Sequence, residues 1–410
     1  MTTACSEADS ISGSPLAGVR VVELGSLIAG PFASRLLADF GADVIKVEAP
    51  GSPDPLREWG VERSAGRGLW WPVQSRNKRL VTLDLRQEAG RALLLQLVEQ
   101  CDVLIENFRP GTLERWGIGP DALLERNPRL VITRVSGFGQ DGPDALRPGY
   151  ASIAEAIGGL RHLNGFEGEV PPRFGISLGD SLGSLFACIG TLLALQSRDR
   201  NGGRGQVVDV SLVESCFSLL ESVAQEYGAT GSVRGPSGTN LRGIAPSNIF
   251  GTCDGQRIVI AANQDTVFRR LAAAMGAPEL AEDPRFIDHE SRGRNQQEVE
   301  GLVADWVAGR ALEDVVKALD KADVPFGQVN TIADIFDSPL FTLRDMLVPV
   351  ADSEIGEVIH PGIVPKLSET PGRIRWGGQW TPGEDNEQVF GGLLGLSEVE
   401  QAGLAASGVI

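Results

Sequence analysis

Histidine is scarce in this chain. There are three in 410 residues, His162, His289 and His360, and none stands in an HxH or HExxH spacing. A histidine-built metal centre is therefore not expected. Cysteine is sparse too: Cys5, Cys101, Cys188, Cys216 and Cys253 form no CxxC pair and are odd in number. A disulfide framework or thiolate zinc cluster is excluded as the organising element, and a reducing, cytoplasmic setting fits. Positive charge is in short supply, with 37 Lys and Arg against 54 Asp and Glu and a formal net charge of −17. Proteins that grip nucleic acid or anionic lipid are normally basic, so no nucleic-acid or membrane partner is expected. Long hydrophobic runs are also lacking. The nearly apolar stretch Leu182–Leu195 is too short to span a bilayer and reads as a buried core helix. Residues 1–16 are mostly small and polar, without the basic start and apolar run of a signal peptide, and are expected to form a flexible tail.

What is present is an ordinary globular composition, 42% apolar and 22% charged, on a chain long enough for two domains. GVRVVE (18–23) reads as a strand, Phe32–Phe40 as a helix entered through Pro31 and stopped at Gly41, and DVIKVE (43–48) as the next strand. Strand, helix and parallel strand begin a doubly wound sheet. The alternation continues through LVTLD (80–84), VLIE (103–106), LVITRV (130–135) and VVDVS (207–211). Gly228–Gly243 then packs five glycines and a proline into a junction. The expected class is α/β: a Rossmann-like doubly wound domain over 17–227, a smaller α+β domain over 228–326, and a return segment, 327–410, completing the large domain.

The opening unit invites comparison with dinucleotide-binding proteins, and a nicotinamide-dependent oxidoreductase is one alternative. Its loop, GSLIAG, lacks the three-glycine GxGxxG arrangement, and no GxxxxGK[ST] occurs. Glu48, at a strand end, is left as either a ribose-binding acid or a solvated strand terminus. Cations gather in SRNKR (Arg76, Lys78, Arg79), at Arg86, and at Arg109 and Arg115 in ENFRPGTLERWG. Loops beyond strand carboxyl ends are where such sheets bind ligands, so these charges are either an anion site or local ion pairs. Asp180, just ahead of an apolar helix, is either an N-cap or a reactive carboxylate.

Read together, PLAGVRVVELGSLIAGPFASRLLADFGADVIKVEAPG, SRNKRLVTLDLR, CDVLIENFRPGTLERWGIG, NPRLVITRVSGFGQDGP, SLGDSLGSLFACIGTLLAL and GGRGQVVDVSLVES resemble, in that order, the class III CoA-transferases (the CaiB/BaiF or formyl-CoA transferase family). The resemblance runs from Pro15 to Ile410. It implies transfer of CoA between an acyl-CoA and a free carboxylic acid, with CoA as substrate, no tightly bound cofactor, no metal, and an interlocked homodimer.

On that resemblance Asp180 is the nucleophile, passing through an aspartyl anhydride and an aspartyl-CoA thioester, with Gly179 and Gly183 clearing bulk around it. The CoA-contacting positions are Ile28, Ala29, Leu83, Asp84, Leu85, Arg86, Asn107, Phe108, Arg109, Arg115 and Tyr150, with Ala49 and Pro148 nearby. Some members carry Gln where Ile28 stands and Arg where Ala49 stands. A glycine-rich lid falls on Gly235, Gly238 and Gly243. The family's acyl-CoA racemases, a second alternative, use a proton-shuttling His in a GHDxNY-like segment, where this chain has RPGYAS (147–152). RPGYASIAEAIGG resembles the branch that exchanges CoA between dicarboxylates, such as succinyl-CoA with malate or citramalate, and Arg147 is left as a contact for a distal carboxylate, a CoA-phosphate contact or a surface residue.

Overall fold

The structure is a computed structural model that describes Gly13–Ile410; most of the tail expected over 1–16 lies outside the described residues. The chain forms two compact units. The first comprises residues through 160, 173–222 and 341–410. Its centre is a six-stranded sheet of β1 (Arg20–Glu23), β2 (Asp43–Glu48), β3 (Lys78–Thr82), β4 (Val103–Glu106), β5 (Val131–Ser136) and β6 (Val207–Ser211). The strands are all parallel, in the order β3-β2-β1-β4-β5-β6. The order reverses between β1 and β4, and that crevice is where doubly wound folds take their ligands.

Period-two alternation builds a core on each face. Val22, Ile45, Leu104 and Ile132 point to one side and pack against α2 (Glu88–Glu99) and the short helix Pro120–Arg126. Val21, Val44, Val103, Ile105, Val131 and Val135 point to the other and meet α1 (Ala29–Asp39) and α4 (Leu178–Arg200). Between these helices in sequence lies α3 (Ala151–Ile157), and α5 (Leu212–Phe217) follows β6. The return segment adds Val389, Phe390 and Val409 to the first core. Asp385 and Asn386 also accept the backbone N–H groups of Leu80 and Thr82 on the edge strand. A π-helical turn forms over Glu387–Leu393, and a helix follows at Glu398–Ala406, begun by a Ser397/Glu400 capping box.

α4 departs from the expected buried core helix. It is 23 residues long and, by length and composition alone, apolar enough to cross a membrane. One face, with Gly183, Ala187, Thr191 and Ala194, packs inward. Leu185, Ile189, Leu192 and Leu193 lie exposed along the other.

The second unit, 161–172 with 223–340, holds a three-stranded antiparallel sheet of β7 (Ser247–Gly251), β8 (Arg257–Ala261) and β9 (Phe326–Gln328). Helices at Asp265–Ala274, Gln296–Ala308 and Leu312–Lys321 cover it through a core that includes Phe250, Ile260, Leu271, Val303 and Leu319. The boundary read at 327 falls inside β9, which pairs with β8, so the second unit continues to 340.

Candidate active site

The carboxyl ends of β1 through β5 carry two small clefts that share Ser26 and Phe108. The first, about 310 Å³, is walled by residues after β1, β2 and β3, including Gly25, Ala49, Leu83, Asp84, Leu85 and Arg86. The second, about 240 Å³, includes Ile28, Ala29, Asn107, Arg109, Tyr150 and Asp180. Most of the positions singled out in the sequence are therefore brought to one edge of one sheet. Arg115 is exposed and donates to Thr112 Oγ1 at 2.9 Å, but lines neither cleft. Gly235, Gly238 and Gly243 belong to the second unit, where the Gly238 N–H donates to Gly165 O at 2.8 Å.

The cations resolve differently from one another. Lys78 lies in β3, two residues earlier than the strand was expected to begin, and is fully buried. Its ammonium donates to Glu23 Oε2 and Pro31 O, both at 2.7 Å. Arg76 is paired with Asp39 and Arg79 with Asp43. The SRNKR charges are thus internal ion pairs and not a phosphate site. Glu48 is neither solvated nor free for a ribose: it is 4% exposed and paired with Arg57 at 2.6 Å.

Beneath the first cleft Lys46 bonds Glu23 Oε1 at 2.8 Å, Asp54 Oδ2 at 3.0 Å and Gly25 O at 2.8 Å. Burial alone would push the Glu23 carboxyl up, but Lys46 and Lys78 hold it below its usual range. Arg86 is exposed and held by Asp84, whose carboxyl its hydrogen bonds draw down to about 2.

Asn107 bridges the switch point. Its Oδ1 accepts the Ser26 N–H and its Nδ2 donates to Ser26 O, both at 2.9 Å. Its amide positions the β1 loop and is spent in doing so. A Cβ at Gly25 would crowd this bridge, standing 3.1 Å from Asn107 Oδ1.

Asp180 sits in the first turn of α4, and Ser177 occupies the cap position without a side-chain capping bond. Glu155 of α3, fully buried, supplies an acceptor: its Oε1 takes the Gly179 N–H at 3.2 Å. Ser184 Oγ lies 2.7 Å from Asp180 O and 2.8 Å from Ala29 O, tying this turn to the start of α1. Gly179 and Gly183 serve close packing, not an approaching thioester. A Cβ would meet Ala151 O at 2.9 Å in the first case and the Leu212 side chain at 2.3 Å in the second. Gly179–Gly183 also spells G-x-S-x-G. It is no nucleophile elbow, since it lies within a helix and Ser181 Oγ donates to Ser177 O at 3.0 Å.

The Asp180 carboxylate is half-buried and has no hydrogen bond or ion pair among the described residues. A helix N-terminus would favour the anion. Instead burial, and then the Glu155 charge, raise its pKa to about 6 against a smaller lowering by Arg173. A carboxylate so perturbed, in a cleft, is a candidate for a reactive group. Glu155, Trp59, Ser136, Gly137 and Gly149 also belong to this site and had no motif to announce them.

The model of CoA-transferase family III matches residues 16–386. The chain belongs to that family. Succinyl-CoA–D-citramalate CoA-transferase of Chloroflexus aurantiacus is 49% identical to it, over 97% of this chain and 98% of that protein. The succinyl-CoA–L-malate CoA-transferase beta subunit of the same organism is 41% identical, again over 97% and 98%. Among solved structures, a CaiB/BaiF family protein from Brucella suis superposes with a TM-score of 0.81 at 32% identity, covering 93% of this chain and all of the other. The protein is a CoA-transferase, acting on an acyl-CoA and a carboxylic acid. The racemase and oxidoreductase alternatives are not favoured by these relatives.

Proposed function

We propose that this CoA-transferase takes CoA from succinyl-CoA and gives it to a second dicarboxylic acid, with Asp180 as covalent carrier. The relatives' substrates support the choice of donor and acceptor class. The observation that carries the mechanism is the unpaired, half-buried Asp180 carboxylate with its pKa near 6. Such an anion is poorly solvated yet ionised at neutral pH, which suits a nucleophile that must outcompete water.

In this reading an Asp180 oxygen attacks the thioester carbon. The C–S bond breaks, CoA leaves as thiolate, and a mixed anhydride remains. The thiolate attacks the Asp180 carboxyl carbon, releasing succinate and leaving an aspartyl-CoA thioester. The acceptor carboxylate attacks the same carbon and expels the thiolate again. The thiolate then attacks the acceptor's acyl carbon, forming the new CoA ester and restoring Asp180. No redox change and no net proton transfer occurs. Arg109 and Arg147, both on the wall of the Asp180 cleft, supply positive charge for a distal carboxylate. CoA contacts run through Phe108, shared by the two clefts, to Leu83–Arg86.

The test is an exchange assay with succinyl-CoA and a panel of free acids, read by mass spectrometry for new CoA esters, with hydroxylamine present in a parallel arm. Succinyl-CoA should leave a hydroxamate on Asp180. Exchange without any adduct there, or an adduct on another residue, would overturn the assignment.

A homodimer belongs to the same proposal. The exposed stripe Leu185, Ile189, Leu192 and Leu193 adjoins an apolar groove of about 310 Å³ that also includes Leu16, Phe40 and Leu367. A second copy of the chain is the occupant that would cover this surface. Ile189→Asp should shift the mass in solution from dimer to monomer, and a wild-type monomer at micromolar concentration would end this part of the proposal.

A further inference from the structure

Buried hydroxyls near the Asp180 cleft are nearly all spent. Thr133 Oγ1 lies 2.6 Å from Thr191 Oγ1. Ser184 is shared between the carbonyls of Asp180 and Ala29. Ser211, the last residue of β6, accepts the Glu214 N–H at 3.2 Å and donates to Gly137 O at 3.3 Å. Ser136, in register with Ser211 on the neighbouring strand, is different. It is the last residue of β5, is 7% exposed, and lines the Asp180 cleft, yet its Oγ has no hydrogen-bond partner among the described residues. A buried hydroxyl left unpaired destabilises the fold, and such groups persist where a ligand supplies the partner.

Asn107, Arg109, Arg147 and Tyr150, also on the cleft wall, leave this task open. The Asn107 amide is committed to Ser26. Arg109, Arg147 and Tyr150 are exposed at its rim. Arg147 is moreover paired with Asp144. A serine hydroxyl has one proton to donate and can rotate to follow an oxygen whose position shifts during reaction. Asp180 and Ser136 line the same cleft of about 240 Å³.

We infer that Ser136 is a catalytic residue whose hydroxyl donates a hydrogen bond to the carbonyl oxygen of the acyl group attacked by Asp180. This rests on the proposed role of Asp180. As the Asp180 oxygen bonds to the carbonyl carbon, the C=O electron pair moves onto oxygen and the Ser136 hydrogen bond strengthens. When the intermediate collapses the pair returns, the C–S bond breaks, and the thiolate leaves with its electrons. Ser136 keeps its proton throughout. A donor that gains strength as charge develops lowers the barrier instead of tightening ground-state binding.

The test is Ser136→Ala, assayed for exchange beside wild type and Asp180→Ala. The kcat of Ser136→Ala should fall about 100-fold, the cost of one oxyanion donor, with KM for both substrates nearly unchanged. The melting temperature should stay level or rise, because the folded protein loses no hydrogen bond. A kcat within about twofold of wild type, a defect confined to KM, or a clear drop in melting temperature would overturn the inference. If wild type itself shows no exchange, the proposed function fails. If wild type is active, Asp180→Ala inert and Ser136→Ala normal, only the Ser136 inference fails.

Discussion

Beneath the cleft half that begins at Gly25, Lys46 is buried and bonded on three sides, and Glu23 holds two ammonium groups at once. Along the same sheet edge, Asp180 and Ser136 sit in the wall of the adjoining cleft with no partner for their side-chain oxygens among the described residues. Both regions bury polar atoms; the first satisfies those of Lys46 and Glu23, whereas the second leaves the Ser136 hydroxyl without a partner among the described residues. The first uses charge as structure: its ion pairs fix the loops after β1 and β2 that shape the cleft. The second keeps polar groups unsatisfied, and the raised pKa of Asp180 is the visible cost. Groups that hold a wall can be neutralised, whereas a group that reacts must be left wanting a partner.

The largest effect expected from breaking this contrast is on turnover. Asp180→Ala should reduce exchange by about 1,000-fold or more, while the CoA dissociation constant, measured by calorimetry, stays within experimental scatter. Comparable activity in this variant would make Asp180 another structural carboxylate. On the paired side the loss should fall on folding instead. Lys46→Met leaves Glu23 and Asp54 buried without their shared cation, and denaturant unfolding should register a loss of about 3–5 kcal/mol. A change below about 1 kcal/mol would mean that the network is dispensable, and the two halves would no longer differ in kind.

The same contrast explains what could be read from the residues. Alternating strands and glycine-stopped helices placed β1, β2, β4 and β6 almost to the residue, because local pattern governs them. SLGDSLGS pointed to Asp180 through its resemblance alone. The fate of Lys78 was hidden, since its partner Glu23 lies 55 positions away and only the sheet brings them together. Composition also cannot show whether an apolar helix face is covered by its own chain, and so α4 read as core throughout. Ser136 carries no signal in its neighbours. Whether a serine is bonded depends on what surrounds it in space, and Ser211, one strand over, is spent on a helix cap.

A smaller effect sharpens the contrast through pH. In the proposed mechanism Asp180 attacks as the anion, and its folded pKa is raised to about 6, first by burial and then by Glu155, with Arg173 opposing. Plotted against pH, kcat/KM should climb toward a plateau reached above about 6 and fall on the acid side. Because Arg173 stabilises the anion, Arg173→Gln should move that acid limb to higher pH. An unmoved limb, or one near the ordinary carboxylate value, would place the titrating group elsewhere.

The smallest effect is thermal. An acid whose pKa is raised on folding weakens the fold once it ionises. The penalty is present in full above the folded pKa of about 6 and fades as pH falls toward the ordinary aspartate value of 3.8. Asp180→Asn removes the charge and keeps the shape, so it should melt a few degrees higher than wild type at pH 8, with the gain gone by about pH 4. Lys46→Met predicts the opposite sign, because there the charges are matched. If Asp180→Asn instead lowered the melting temperature at pH 8, the Asp180 carboxylate would have to be satisfied in the folded enzyme, and the division between a paired wall and an unpaired reactive turn would not hold.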